Sequence, residues 1–180
     1  FSISYDNGFF IKSEEILLPL SQFVKRYDEV EIENVRKELD QIIGLDKVKN
    51  YILNLENNLN VQNLRAQKGL KTASLSMHMI FTGNPGTGKT TIARIVAKYL
   101  KAIGVLSSGH LREVSRSDMV GQYVGQTARL TAGLIESAIG GVLFIDEAYS
   151  LCRGQNDVYG LEAIDALVKG MEDNRDNLVV

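Results

Sequence analysis

The sequence predicts an α/β fold: a parallel sheet in three layers, with helices on both faces. Three observations predict it. Short apolar runs alternate with amphipathic helical stretches beyond residue 41. One apolar run leads into a glycine-rich loop that opens a helix. Another, Val142-Leu143-Phe144-Ile145, is apolar throughout and ends in two acids, the pattern of a strand covered on both faces.

Residues 1–40 carry nine acids against five bases and read as an acidic, partly helical, solvated arm. A soft boundary near Asp40–Gly44 separates this arm from an α/β core over 41–180. There, Val48, Ile52, Leu55 and Leu59 recur every three or four residues, a helix that Asp46 could cap and Gly69 could stop. Met77-His78-Met79-Ile80-Phe81 reads as a short buried strand, and Gly83-Asn84-Pro85-Gly86 as a loop. Ile92, Ile95, Val96, Tyr99, Leu100 and Ile103 form one apolar helical stripe. Leu111–Val114 is the next expected strand. Thr127–Ile139 is an expected helix with Leu130, Leu134, Ile135 and Ala138 inward. Leu161, Ile164, Leu167, Val168 and Met171 mark a last helix, and Leu178–Val180 starts another strand. Because the chain begins at Phe1 and stops inside that run, it reads as a fragment of a longer protein.

Composition limits the function classes. Of 180 residues, 44% are apolar and 23% charged, which supplies a core and argues against disorder. A net charge of -2 speaks against a chain-wide basic surface for nucleic acid or anionic lipid. One cysteine excludes an internal disulfide or a zinc cluster and fits a cytoplasmic setting. No apolar run approaches the roughly 18 residues of a membrane span.

Gly83-Asn84-Pro85-Gly86-Thr87-Gly88-Lys89-Thr90 fits G-x-x-x-x-G-K-[ST] at every fixed position. Glycines let backbone N–H groups turn onto phosphate oxygens, and the helix that follows presents its positive end to the same anion. Lys89 is placed to reach the outer phosphates, and the Thr90 hydroxyl to ligate Mg²⁺. Asp146 and Glu147 follow their strand 57 and 58 positions after Lys89. At the carboxyl end of a parallel strand Asp146 emerges beside Thr90 and the metal, acting partly through water, since Mg²⁺ keeps several waters. Glu147 is placed to polarise a water against the γ-phosphate. No Asn/Thr-Lys-x-Asp motif for guanine follows, so the nucleotide expected is ATP.

These motifs together resemble the AAA+ ATPases, whose core is a P-loop NTPase fold. Residues 39–180 look more specifically like the subfamily of stage V sporulation protein K and CbbX, the red-type Rubisco activase. The segments that carry this are Ile43–Lys49, Phe81–Thr91, Gly121–Thr127, Gly141–Tyr149 and Tyr159–Ile164. Residues 1–38 match no family pattern. The resemblance implies that Ile43 and Gly44 lie around the adenine, with Asn84, Pro85, Gly86, Thr87, Gly88, Lys89, Thr90 and Thr91 on the phosphates. Lys89 and Glu147 would be catalytic, and Thr90 and Asp146 would hold Mg²⁺. Tyr123, Val124 and Gly125 fall on the family's pore loop, where an exposed aromatic grips a polypeptide. A homo-hexamer of the full-length protein is implied, in which the ring remodels a protein client. The alternative is an ATP-dependent assembly or scaffold module with little turnover. The family's sensor residue, arginine finger and helical lid lie beyond the matched positions, so this stretch alone is expected to turn ATP over slowly or not at all. The client and its pathway are not legible. Arg116 reads as a surface or intersubunit charge, His78 as a packed residue, and His110 and Cys152 as isolated.

Overall fold

The computed structural model describes residues 2–5, 9–13, 16–19, 29–71, 76–123, 125–154 and 156–180. Its first elements are three short strands, β1 (Ser2–Tyr5), β2 (Phe9–Ser13) and β3 (Ile16–Pro19). They pair antiparallel in the order β1-β2-β3, with Ile3 opposite Ile11 and Ile11 opposite Leu18. Among its described residues the arm is therefore a β ribbon first and helical over α1 (Glu29–Asp40). That helix is not a solvated one. Ile32, Val35 and Leu39 are buried, in the same core as the helix that follows the phosphate loop.

Next come α2 (Asp46–Gln67), α3 (Lys89–Ala102), β4 (Leu111–Val114) and α4 (Arg116–Met119). The rest are α5 (Thr127–Ala138), β5 (Val142–Ile145), a 3₁₀ turn over Ala148–Leu151, and α6 (Val158–Asp173). Strands β4 and β5 are parallel neighbours, Leu111 opposite Val142 and Val114 opposite Ile145. On the other side of β5, Leu143 N–H donates to Val179 O at 2.8 Å and Val179 N–H to Gly141 O at 3.2 Å. Beyond that, Met79 N–H donates to Val180 O at 2.9 Å. The spatial order is thus 77–81, 178–180, β5, β4, in which β4 and β5 form the parallel sheet, Val179 adds a parallel bridge, and helices cover the faces.

The expected strand over Met77–Phe81 is a correction. No ladder is formed by this segment among the described residues, and Ile80 is 92% exposed. A parallel ladder needs evenly spaced bonds along both chains. Here residues 178–180 accept one backbone bond from this segment.

Helix α3 follows expectation: its six predicted stripe residues are all buried, with Tyr99 and Leu100 fully so. Two other helices follow expectation in part: Ile135, Ala138 and Leu167 are buried, and Leu134, Ile164 and Met171 pack against the same core. In α5, Leu130 is exposed, and the buried line runs Thr127, Thr131, Ile135, Ala138. The threonines win because their hydroxyls have specific partners. Thr127 Oγ1 accepts Gly121 N–H at 3.0 Å, and Thr131 Oγ1 donates to Met119 O at 3.2 Å. A buried hydroxyl so satisfied costs little. In α6, Gly160, Ala163 and Leu167 face the core, while Leu161 and Val168 are exposed. Gly170 lets α6 approach α5 closely, since a Cβ there would stand 2.5 Å from Ile135 Cδ1.

Candidate functional site

The site forms where the phosphate loop and the end of β5 meet. Gly86 and Gly88 sit at φ of 75° and 82°, the left-handed region that side chains other than glycine's resist. These two turns fold residues 83–88 over the first turn of α3. Thr87 Oγ1 donates to Asn84 O at 2.8 Å and braces the loop. Among the described residues, the N–H groups of Asn84, Gly86 and Gly88 donate to no protein acceptor. A row of unpaired donors at the positive end of a 14-residue helix is an anion cradle. Lys89 Nζ folds back onto the loop, donating to Gly83 O at 3.1 Å and Asn84 O at 3.0 Å.

A cavity of about 510 Å³ lies against this loop. Gly83, Pro85 and Lys89 line one wall; Asp146, Glu147 and Tyr149 line another. Its apolar floor includes Phe81 and Phe144, whose rings meet edge to face at 6.5 Å between centroids. The loop cation and the two acids predicted to act together therefore open onto one space. Thr90 and Thr91 continue α3 directly from Lys89.

The acids are set by a sharp bend after β5. Asp146 N–H still belongs to the sheet, donating to Val114 O at 2.8 Å. Asp146 Oδ1 accepts the N–H of Glu147 at 3.0 Å. Glu147 then adopts φ 52°, a left-handed conformation that is uncommon for a residue with a side chain. Strain of this kind is characteristic of functional turns. The Tyr149 hydroxyl donates to Glu147 Oε2. Thr90 and Asp146 carry hard oxygen donors of the type Mg²⁺ takes; Asp146 lines the cavity and Thr90 is not among its lining residues. No cluster of three or more His, Cys, Asp or Glu suited to a metal occurs among the described residues.

Other predicted positions lie elsewhere. Ile43 is 98% exposed and, with Gly44, does not line the cavity. Their turn is held by Lys49, whose Nζ donates to Ile42 O at 2.6 Å, and Leu45 closes it at φ 60°. Tyr123 is exposed on the loop between α4 and α5, with Gly125 beside it. Val124 lies outside the described residues. His78 is packed as expected: burial lowers its pKa, and its Nδ1 accepts Val180 N–H at 3.1 Å. His110 is not isolated; Ser108 and the Ser137 carbonyl both contact its ring.

Arg116 is not the solvated surface charge that one of its two expected readings made it. Its side chain is 17% exposed and forms an ion pair with Asp157 at 2.6 Å. Sequence reasoning missed this pair because the partners stand 41 positions apart. The one local signal was Asp157 itself, a capping type just before a helical pattern. No helix among the described residues is long and apolar enough to cross a membrane.

Residues 79–180 match the model of the family described as ATPases associated with various cellular activities (AAA). Stage V sporulation protein K of Bacillus subtilis is 46% identical over 149 residues, 83% of this chain and 46% of that protein. The ESX-1 secretion system protein EccA1 of Mycobacterium tuberculosis is 53% identical over 146 residues, 79% of this chain and 26% of that protein. Protein CbxX of Cupriavidus necator is 51% identical over 141 residues, 78% of this chain and 44% of that protein. The chain spans less than half the length of each of these relatives.

Proposed function

The chain belongs to the AAA family of ATPases, and from that premise we propose that it binds Mg·ATP in the loop cavity and hydrolyses the β-γ phosphoanhydride. The observation that carries this reading is that Lys89 and Gly83 share one cavity with Asp146 and Glu147. The N–H groups of Asn84, Gly86, Thr87 and Gly88 take the phosphate oxygens. Lys89 leaves the Gly83 and Asn84 carbonyls to meet the outer phosphates. Thr90 and Asp146 hold Mg²⁺, which when bound neutralises charge on the phosphates. Glu147 accepts a proton from the attacking water. Ile43 and Gly44 border the adenine.

Tyr123, Val124 and Gly125 form the tip that grips a polypeptide client within a homo-hexameric ring of the full-length protein. The exposure of Tyr123 on a loop anchored at both ends supports this role. A cytoplasmic setting suits such a motor. Relatives named for sporulation, secretion and a plasmid CbxX function leave several client classes open.

Calorimetry with Mg·ATP tests the core of the reading, alongside Lys89→Ala and with GTP as competitor. Micromolar ATP binding that weakens at least about tenfold in the variant is expected. Equal binding by parent and variant, or GTP competing on equal terms, defeats it.

A further inference from the structure

We propose that Arg116 is a positioning residue that couples the exposed loop 121–126 to the segment bearing Asp146 and Glu147; this rests on the ATP reading above. Arg116 opens α4, directly behind β4. Its guanidinium reaches across to the chain after β5. Nη1 donates to Ser150 O at 2.9 Å, Leu151 O at 3.1 Å and Asp157 Oδ2 at 2.6 Å. Nη2 donates to Asp157 Oδ1 at 2.8 Å. Ser150 and Leu151 end the 3₁₀ turn that begins one residue after Glu147. Ser150 N–H donates back to Glu147 O at 2.7 Å. One cation therefore grips the backbone of the turn that holds Glu147 in its left-handed conformation.

The other end of α4 reaches the loop. Val120 N–H donates to Arg116 O at 2.9 Å. Met119 O and Gly121 N–H are held by Thr131 and Thr127 at the start of α5. The loop that carries Tyr123 thus leaves from a fixed stem at Met119–Gly121, and α4 is the strut from that stem to Arg116. The anchor is saturated. Besides Arg116, Asp157 accepts Gly160 N–H at 3.0 Å and Arg153 N–H at 3.2 Å. It is also closely packed: a Cβ on Gly160 would stand 1.9 Å from Leu151 O and 2.8 Å from Arg116 Nη1. An isolated stabilising pair would need only Asp157. The two additional bonds to backbone carbonyls of the acid-bearing turn are what make Arg116 a coupler. Only the planar fork of arginine donates in these directions at once; lysine offers a point charge.

The chain has no tryptophan, so Tyr123→Trp installs a single indole reporter on the loop. Mg·ATP is titrated into this protein while emission and acrylamide quenching are read, with binding measured separately by calorimetry. A change in the indole signal on saturation is expected. Adding Arg116→Ala should reduce that change at least about fivefold while Kd stays within about twofold, and Arg116→Lys should restore part of it. Asp157→Asn, which keeps one acceptor and the helix cap, should reduce it to an intermediate level and serves if Arg116→Ala does not fold. An undiminished signal in the Arg116 and Asp157 variants overturns the coupling. So does Mg·ATP binding with no indole response in the parent. Absence of Mg·ATP binding in the parent is a separate result: it removes the ATP reading itself, and the coupling with it.

Discussion

Tyr99 donates its hydroxyl to the Glu56 carboxylate at 2.7 Å, tying the helix behind the phosphate loop to the helix before it. Arg36 of α1 donates to the same oxygen at 2.7 Å, so three helices meet at one carboxylate. Tyr99 is fully buried, and burial, reinforced by Glu56, pushes its pKa up to about 12. A phenol held neutral by the fold contributes stability below its unfolded value near 10. That contribution is lost as pH rises from about 10 to about 12 and amounts to up to about 3 kcal/mol. Tyr99→Phe should therefore cost about 1–2 kcal/mol at neutral pH and flatten the alkaline decline. Urea midpoints at pH 7 and above 10, with absorbance titration of the seven tyrosines, check this. Titration of every tyrosine near 10 in the folded protein contradicts it.

Lys89 donates to the carbonyls of Gly83 and Asn84, at the solvent edge of the loop. Bonds of this exposed kind contribute little to folding. Lys89→Ala should then shift the thermal midpoint by no more than about 2 °C while weakening Mg·ATP at least about tenfold. Thermal melts with and without Mg·ATP separate the two effects. A variant that loses both stability and binding would show Lys89 to be a structural brace.

The site was legible in sequence because its chemistry is local. The phosphate loop occupies eight consecutive positions, and Asp146 and Glu147 are adjacent at a strand end. The sheet order then brings both to one cavity. Helix faces were less legible. Apolar periodicity favoured Leu130 and Leu161 as core residues, yet both are exposed. Thr127 and Thr131 take the inward line because their hydroxyls close the loop stems, a tertiary requirement that hydrophobicity does not encode. Gly160 does the same for α6, where a side chain would strike the Leu151 carbonyl. The Arg116–Asp157 anchor spans 41 residues and leaves no spacing signature. For the arm, a dominant acidic charge masked the apolar face Ile32, Val35, Leu39 at helical spacing.

That face yields a prediction about the arm. Leu39 is 2% exposed and packs in one core with Ile52, Tyr99 and Leu100. The surface pairs between the same elements, Lys98 with Glu38 at 2.8 Å and Lys101 with Glu31 at 3.1 Å, are partly solvated and contribute little. Apolar burial thus holds α1. Leu39→Ala should cost about 2–4 kcal/mol in urea unfolding, and Glu38→Gln under about 1 kcal/mol. Comparable losses in both, or none from Leu39→Ala, would mean that charge rather than packing docks the helix.

Acid sensitivity follows from the anchor of α6. The Arg116 guanidinium, first, and then the N–H groups of Gly160 and Arg153 hold the Asp157 carboxyl well below the usual carboxylate range. A carboxyl whose folded pKa is depressed contributes stability above its unfolded value, near 4. The contribution is lost as pH falls from there toward the folded pKa. Asp118, held low by the Ser115 backbone N–H and hydroxyl, acts in the same direction at the start of α4. Both groups act at the start of α4, through Ser115 and Arg116, so acid should loosen the hold of α4 on the turn after β5. Asp157→Asn should lower stability at pH 7 and make the decline below about pH 4 shallower than in the parent. Urea midpoints at pH 7, 4 and 2.5 measure it. Parallel pH curves for parent and variant would show that Asp157 ionises as it does in the unfolded chain, and the anchor would then be a contact without electrostatic weight.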